Sequence, residues 1–167
     1  MAYGGNTYAI ADAAYFPGLE LRSGHRSAIE KAAQAFGDAV RAAVKFQHPL
    51  QPFINVITHA MFYTKPDDPT ATYRNTVVFL PDSLDRSPCG TGTSARVASL
   101  FAKGELGLNE PFVHESVIGT QFRARIVEPA MVGPYKGGIP EVSGSAYVTG
   151  LLKLVIDPAD PLRHGFR

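Results

Sequence analysis

The sequence predicts an α+β fold, a strongly curved, mainly antiparallel sheet wrapped around a central buried helix. Three observations predict it. The segment from about Gly92 to Lys103 carries Ala95, Val97, Ala98, Leu100, Phe101 and Ala102 with few charges, so it reads as a helix that is apolar almost all round and must be enclosed. The segments flanking it are short, rich in β-formers and bounded by turn residues. A second helical pattern, from about Gly24 to Phe46, is amphipathic and suits an outer layer.

Taken in order, Asn6 to Ala13 mixes aromatic and small residues and ends before Pro17-Gly18, a strand and turn. Ala28, Ile29, Ala32, Ala33, Phe36, Val40, Ala43 and Val44 recur at helical spacing, with Ser23 or the residues that follow it placed to cap the helix and His48-Pro49 to end it. Phe53 to Tyr63 is a β-rich run that stops at Lys65-Pro66-Asp67-Asp68-Pro69. Arg74 to Leu80 contains the apolar run Val77-Val78-Phe79-Leu80 of a buried strand, and Pro81-Asp82-Ser83 leads out of it. After the central helix, strands are expected over Phe112 to Gly119, Phe122 to Val132 and Tyr147 to Ile156. No internal repeat or linker divides the chain, which reads as one domain, 1–167.

Composition narrows the function. A chain of 167 residues hides roughly two-thirds of its unfolded surface, enough for a core. With 45% hydrophobic and 19% charged residues it is globular, and a net charge of +1 offers nothing to nucleic acid or to a membrane surface. One cysteine cannot form an intramolecular disulfide. Neither a transmembrane run nor a secretory leader is visible, so the expected location is cytoplasmic.

That cysteine lies in Asp85-Arg86-Ser87-Pro88-Cys89-Gly90-Thr91-Gly92-Thr93-Ser94-Ala95-Arg96, where a loop after a buried strand enters a helix. Pro88 has no N–H to lose at such a boundary, and Gly90, Thr91 and Gly92 let a ligand approach the first free amides. Those amides and the helix dipole suit a carboxylate or phosphate, and the same field stabilises negative charge on the sulfur. The loop lacks the Gly-Lys-Ser/Thr ending of a nucleotide-binding P-loop.

This segment, followed by Lys103-Gly104-Glu105-Leu106, resembles the second cysteine motif of the proline racemase family, which includes 4-hydroxyproline epimerases and trans-3-hydroxyproline dehydratases. Tyr3-Gly4-Gly5-Asn6, Pro111-Phe112-Val113-His114-Glu115-Ser116 and Pro140-Glu141-Val142-Ser143-Gly144 agree in order, so the resemblance covers nearly all of the chain. It implies a diaminopimelate-epimerase-like lobe. Members have two such lobes, each with a cysteine at a helix N-terminus, and Tyr-Gly-Gly-Asn usually opens the second. No Cys-Gly-His motif of the first lobe is present. The chain therefore resembles the second, C-terminal lobe only, and a complementary first lobe is its expected partner.

By the same resemblance, inversion at Cα uses both lobe cysteines as acid and base, without pyridoxal phosphate or metal. Cys89 matches the second of them. Gly90 and Thr91 match the residues whose amides receive the substrate carboxylate, Asp85 the aspartate that meets the ring nitrogen, and Phe79 an aromatic pocket position. Tyr8 is a weaker candidate for the pocket wall. Against these stand plainer readings: an inert buried thiol, a loop-capping Asp85 and a core Phe79. His25, His48, His59, His114 and His164 lack metal-ligand spacing and read as surface or hydrogen-bonded structural residues.

Cysteine rather than threonine at position 89 favours racemisation or 2-epimerisation over the dehydratase type, and proline ranks nearly equal with 4-hydroxyproline. The chain alone is expected to be inactive, with one acid/base group and an open cleft. The alternatives are a non-catalytic lobe or partner-dependent binding module, and cysteine-nucleophile hydrolysis, for which no histidine stands out as the base. Whole members are commonly homodimers, and an exposed inner face would also drive self-association.

Overall fold

A computed structural model describes residues 1–166. The strands are β1 (Ala2–Tyr3), β2 (Thr7–Asp12), β3 (His59–Thr64), β4 (Tyr73–Phe79), β5 (Ser83–Leu84), β6 (Phe112–Glu115), β7 (Gln121–Val132) and β8 (Tyr135–Ser143), and the helices α1 (Arg26–Ala43) and α2 (Gly90–Lys103). They form one sheet in the order β1-β2-β3-β4-β6-β7-β8, with β5 paired to β4 beside this path. Pairings β2–β3 and β4–β6 are parallel and the others antiparallel. Helix α2 touches β1 and β2 at one end of that order and β7 and β8 at the other, so the sheet curls around it as expected.

Strands β3 and β4 explain how one sheet serves two helices. Side chains alternate between faces along a strand. Ala60, Phe62 and Val78 pack with Ile29 and Ala33 of α1, while Met61 and Val77 pack with Tyr8, Cys89 and Ala95 on the α2 side. Both faces are buried, hence the near-continuous apolar runs.

The structure corrects several boundaries. Helix α1 ends at Ala43, before the expected Phe46, because Val44 turns extended (φ −134°) and its amide closes on Val40 O. Ser23 is not its cap: Ser23–His25 forms a 3-10 turn, and His25, at the N-cap, makes no side-chain capping bond. The strand expected from Phe53 begins only at His59. The preceding carbonyls find other partners, since Val56 O accepts from the Thr7 hydroxyl and Ile57 O from the Arg41 guanidinium. After β6 the chain turns at Ser116, whose Oγ accepts from the amides of Ile118 and Thr120.

The largest correction is at the C-terminal end. Tyr147–Ile156 forms no strand; the last strand is β8, which the sequence reading left unassigned. β8 follows β7 through a tight turn at Gly133 (φ 58°) and pairs locally, whereas residues 147–156 meet no strand to pair with. No helix is long and apolar enough to cross a membrane among the described residues.

The seating of α2 depends on absent side chains. A Cβ on Gly4 would collide with the α2 backbone at Thr91 O and Ala95 N, and one on Gly92 would press on Met61 Cε (2.8 Å), Val77 Cγ2 (3.0 Å) and Cys89 Cβ (3.3 Å). Gly4→Ala is expected to lower stability by about 1–3 kcal/mol, the range for overpacking. Urea unfolding checks it, and an unchanged midpoint would mean that the turn before β2 moves aside freely.

Candidate active site

The loop from β5 into α2 is held by a relay of short hydrogen bonds. Asp85 Oδ1 accepts from the Ser87 amide (2.8 Å), and Ser87 Oγ accepts from the Cys89 amide (3.0 Å). Pro88 O accepts from Asn75 Nδ2 (2.8 Å) and Thr93 Oγ1 (3.3 Å), and Cys89 O from the Thr93 amide (2.8 Å). The backbone polar groups on either side of Cys89 are thus occupied on the loop side. Cys89 itself sits at φ 64°, ψ 119°, a conformation that non-glycine residues avoid at a cost of about 1–3 kcal/mol, and such strain concentrates at functional sites.

The Cys89 side chain is buried with Tyr8, Met61, Val77 and Ala95. Its Sγ lies 3.5 Å from Tyr8 Oη and 3.8 Å from Thr91 Oγ1, and those two oxygens are 2.5 Å apart. Burial first, then the hydrogen bond to the Cys89 sulfur, push the Tyr8 phenol above its ordinary pKa, so it remains a proton donor at neutral pH. Tyr8 is therefore at the sulfur rather than merely near the pocket.

Beyond the sulfur, Thr93 is the first residue whose amide reaches an intrahelical carbonyl, leaving the amides of Gly90, Thr91 and Gly92 as the free donors of the helix start. Gly90 is exposed, and no atom lies within 4 Å of where its Cβ would stand, so an anion has a clear approach. Gly92 is closed off by the strands beneath it.

Phe79 and Asp85 line an open groove of about 650 Å³ with Ser23, Arg26, Arg86 and Ile118. Phe79 is 43% exposed, a pocket-edge rather than a core position. Asp85 caps the loop through Oδ1, the plainer of its two expected roles, and it also borders the groove. The groove lining does not include Cys89. A row of rings joins the two places: Tyr8 to His59 at 4.8 Å between centroids, His59 to Phe79 at 4.3 Å. These residues are register partners across β2, β3 and β4. Burial lowers the His59 pKa, Nδ1 meets Thr58 Oγ1 at 2.7 Å, and Nε2 is buried without a partner. His59, expected to be a surface or hydrogen-bonded structural residue, is buried and bonded to Thr58; its place in this row of rings was not legible, because only strand register reveals its neighbours.

Behind the first turn of α2, Thr93 Oγ1 meets His114 Nδ1 (3.0 Å), and burial, with the Arg96 charge beside it, pushes His114 down to about 3. Arg96 lies 3.9 Å over the ring of Tyr63 and 5.2 Å from that of Tyr73. Among the described residues no three His, Cys, Asp or Glu side chains gather as a metal site would require.

Residues 1–167 match the family model for proline racemase. The chain belongs to the proline racemase family. It is 40% identical over 166 residues to the proline racemase of Acetoanaerobium sticklandii, covering 99% of this chain and 49% of that protein. The trans-3-hydroxy-L-proline dehydratase of Bacillus cereus is 37% identical over 166 residues, again 99% of this chain and 49% of the relative. The crystal structure of a hydroxyproline epimerase from Agrobacterium vitis with bound trans-4-hydroxy-L-proline superposes with a TM-score of 0.80 at 31% identity, covering 99% of this chain and 47% of that one. This member of the proline racemase family thus spans about half the length of the relatives it matches, and its curved sheet around α2 is the family's fold.

Two outcomes are expected from the site's packing. Tyr8→Phe, which keeps the ring and loses both Oη contacts, costs about 1 kcal/mol, whereas Tyr8→Ala costs about 3–5 kcal/mol; urea midpoints separate the two. For His114 the folded pKa lies below the unfolded value, so the unfolded chain takes up the proton first and stability falls as pH drops from about 6.5 towards 3. One such group gives a slope of about 1.4 kcal/mol per pH unit. Between pH 6 and 4.5, His114→Asn should flatten the stability profile by that amount; an unchanged slope would show that His114 protonates without unfolding.

Proposed function

We propose that this chain is one half of a cofactor-independent amino-acid racemase or epimerase, supplying one of two thiols that invert Cα of proline or 4-hydroxyproline. The observation that carries the reading is the placement of Cys89 Sγ at the start of α2 beside the open amides of Gly90 and Thr91. A substrate carboxylate on those amides brings its own Cα towards the sulfur. Asp85 pairs with the ring ammonium, and Phe79 packs against the ring.

In one direction the Cys89 thiolate takes the Cα proton: the C–H bond breaks, an S–H bond forms, and the electron pair passes into the carboxylate, whose developing charge the helix amides stabilise. A thiol on the opposite face, supplied by the complementary half, then protonates Cα. In the other direction the two sulfurs exchange roles. Residues 1–167 act as a single unit, and without the other half one proton donor is missing and water enters the cleft. Elimination from trans-3-hydroxyproline needs no second proton donor, so a cysteine at position 89 favours inversion over dehydration. A binding half without catalysis is the second reading, resting on the chain's span of half its relatives.

The test is Cα deuterium incorporation into L-proline and trans-4-hydroxy-L-proline in heavy water. The chain alone should give none. Together with a complementary half it should give exchange, and Cys89→Ser should reduce the rate by about two to four orders of magnitude. Undiminished exchange in that variant removes Cys89 from the reaction, and no exchange in any mixture favours the binding half.

A further inference from the structure

In one direction of the proposed reaction Cys89 starts as a thiolate, yet its lining is poor in donors. Met61, Val77 and Ala95 pack on it from β3, β4 and α2 and offer none. Among the described residues the side-chain donors within reach of Sγ are the hydroxyls of Tyr8 (3.5 Å) and Thr91 (3.8 Å). Tyr8 is fully buried, so its hydrogen has two acceptors to choose from, Cys89 Sγ and Thr91 Oγ1, the latter at 2.5 Å. The far end of the cluster fixes the choice. Asn6 Nδ2 can only donate, and it donates to Thr91 Oγ1 (3.5 Å). With that oxygen accepting from Asn6, the Thr91 hydrogen turns to Tyr8 Oη, and the Tyr8 hydrogen is left for the sulfur.

A thiolate only accepts, so the three donors then point one way, from the Tyr3-Gly4-Gly5-Asn6 turn through Thr91 and Tyr8 to Cys89. A thiol brings a hydrogen of its own, and the Tyr8 hydrogen is free to turn back to Thr91. The order reverses by rotation of hydroxyl groups, with no heavy atom moving, which is what a preorganised site requires. We infer that Tyr8 is a positioning residue whose hydroxyl, aligned by Asn6 and Thr91, holds the Cys89 sulfur as the thiolate that takes the Cα proton. This rests on the reading of Cys89 as an acid/base group and names what sets its charge. Burial, then the bond to the sulfur, raise the Tyr8 pKa, so the phenol keeps its hydrogen while the sulfur gives its own up. The other titratable or charged groups nearby are His59 of β3, Asp85 and Arg86 on the loop before Cys89, and Arg96 of α2. His59 stacks on the Tyr8 ring with its pKa lowered, so it is neutral from pH 7 upward, and Arg96 is turned over Tyr63 and Tyr73.

Because the chain has one cysteine, its alkylation by iodoacetamide, followed by intact mass, reads the reactivity of Cys89 alone, with no second half needed. Rates are measured at pH 7 and pH 10 for the whole chain and for Tyr8→Phe, Thr91→Val and Thr91→Ser. At pH 7 Tyr8→Phe should react about ten-fold more slowly, the loss expected for a hydrogen bond to a charged group. At pH 10, above the ordinary range of a thiol, the two rates should agree within about two-fold. Thr91→Val, which removes the aligning hydroxyl, should slow the reaction about three-fold at pH 7 only, and Thr91→Ser should restore it. Should Tyr8→Phe fail to fold, the Thr91 pair carries the test. Equal slowing at both pH values would mean that Tyr8 only shapes access to the sulfur, and that result overturns the inference, as do unchanged rates at pH 7. Cα deuterium exchange with a complementary half is followed for the same proteins. Exchange in the mixture without the alkylation pattern removes the inference and leaves the two-half reading standing. The alkylation pattern without exchange in any mixture upholds the hold of Tyr8 on the thiolate and removes the reaction assigned to it.

Discussion

Everything at the sulfur depends on how closely α2 lies against the sheet. At Gly4 and Gly92 the contact is backbone to backbone or backbone to side-chain tip, with no room for a methyl group. That closeness brings the Tyr3-Gly4-Gly5-Asn6 turn onto Thr91, sets Tyr8 Oη between Cys89 Sγ and Thr91 Oγ1, and buries the sulfur against Met61 and Val77. Moving the helix outward by the width of one carbon would separate the thiol from the phenol. It would also loosen the Pro88 carbonyl, which bonds both to Asn75 on β4 and to Thr93 on the helix. Sheet and helix thus grip the loop from opposite sides, and the unusual backbone angles of Cys89 are the result of that grip.

The helix is enclosed, but its buried surface is not wholly apolar. Thr93 and Arg96 are buried on it, His114 lies behind it, and Asn75 and Thr76 sit on the strand beneath. Buried polar groups stabilise only when paired, and unpaired they favour one arrangement chiefly by penalising the others. Here the pairings Thr93–His114, Asn75–Pro88 and Arg96 over two tyrosines fix the rotation of α2 about its own axis. Apolar packing alone would leave that rotation loosely defined, and with it the direction of the free amides.

The enclosed helix and the loop-to-helix position of Cys89 were legible because composition and periodicity encode them directly. So was the two-sided burial of Val77-Val78, since a run without alternation has no polar face. The row Tyr8–His59–Phe79 was not legible, because those residues are distant in sequence and meet only through the register of three strands. The stacking of Arg96 over the tyrosines of β3 and β4 was not legible either, for the same reason. The run Tyr147–Ile156 shows the opposite failure. It was expected to be a strand and is not one, since a strand exists only where a neighbour offers hydrogen bonds, and within this chain β8 has already taken the local partner.

The solitary thiol has a consequence for oxidative chemistry. Cys89 is 4% exposed and has no second cysteine within the chain. A sulfenic acid formed there cannot condense with a neighbouring thiol of this chain, so its repair depends on a small external thiol reaching the start of α2 past the exposed Gly90. An anion resting on the Gly90 and Thr91 amides would therefore shield the sulfur from peroxide and from its reductant alike.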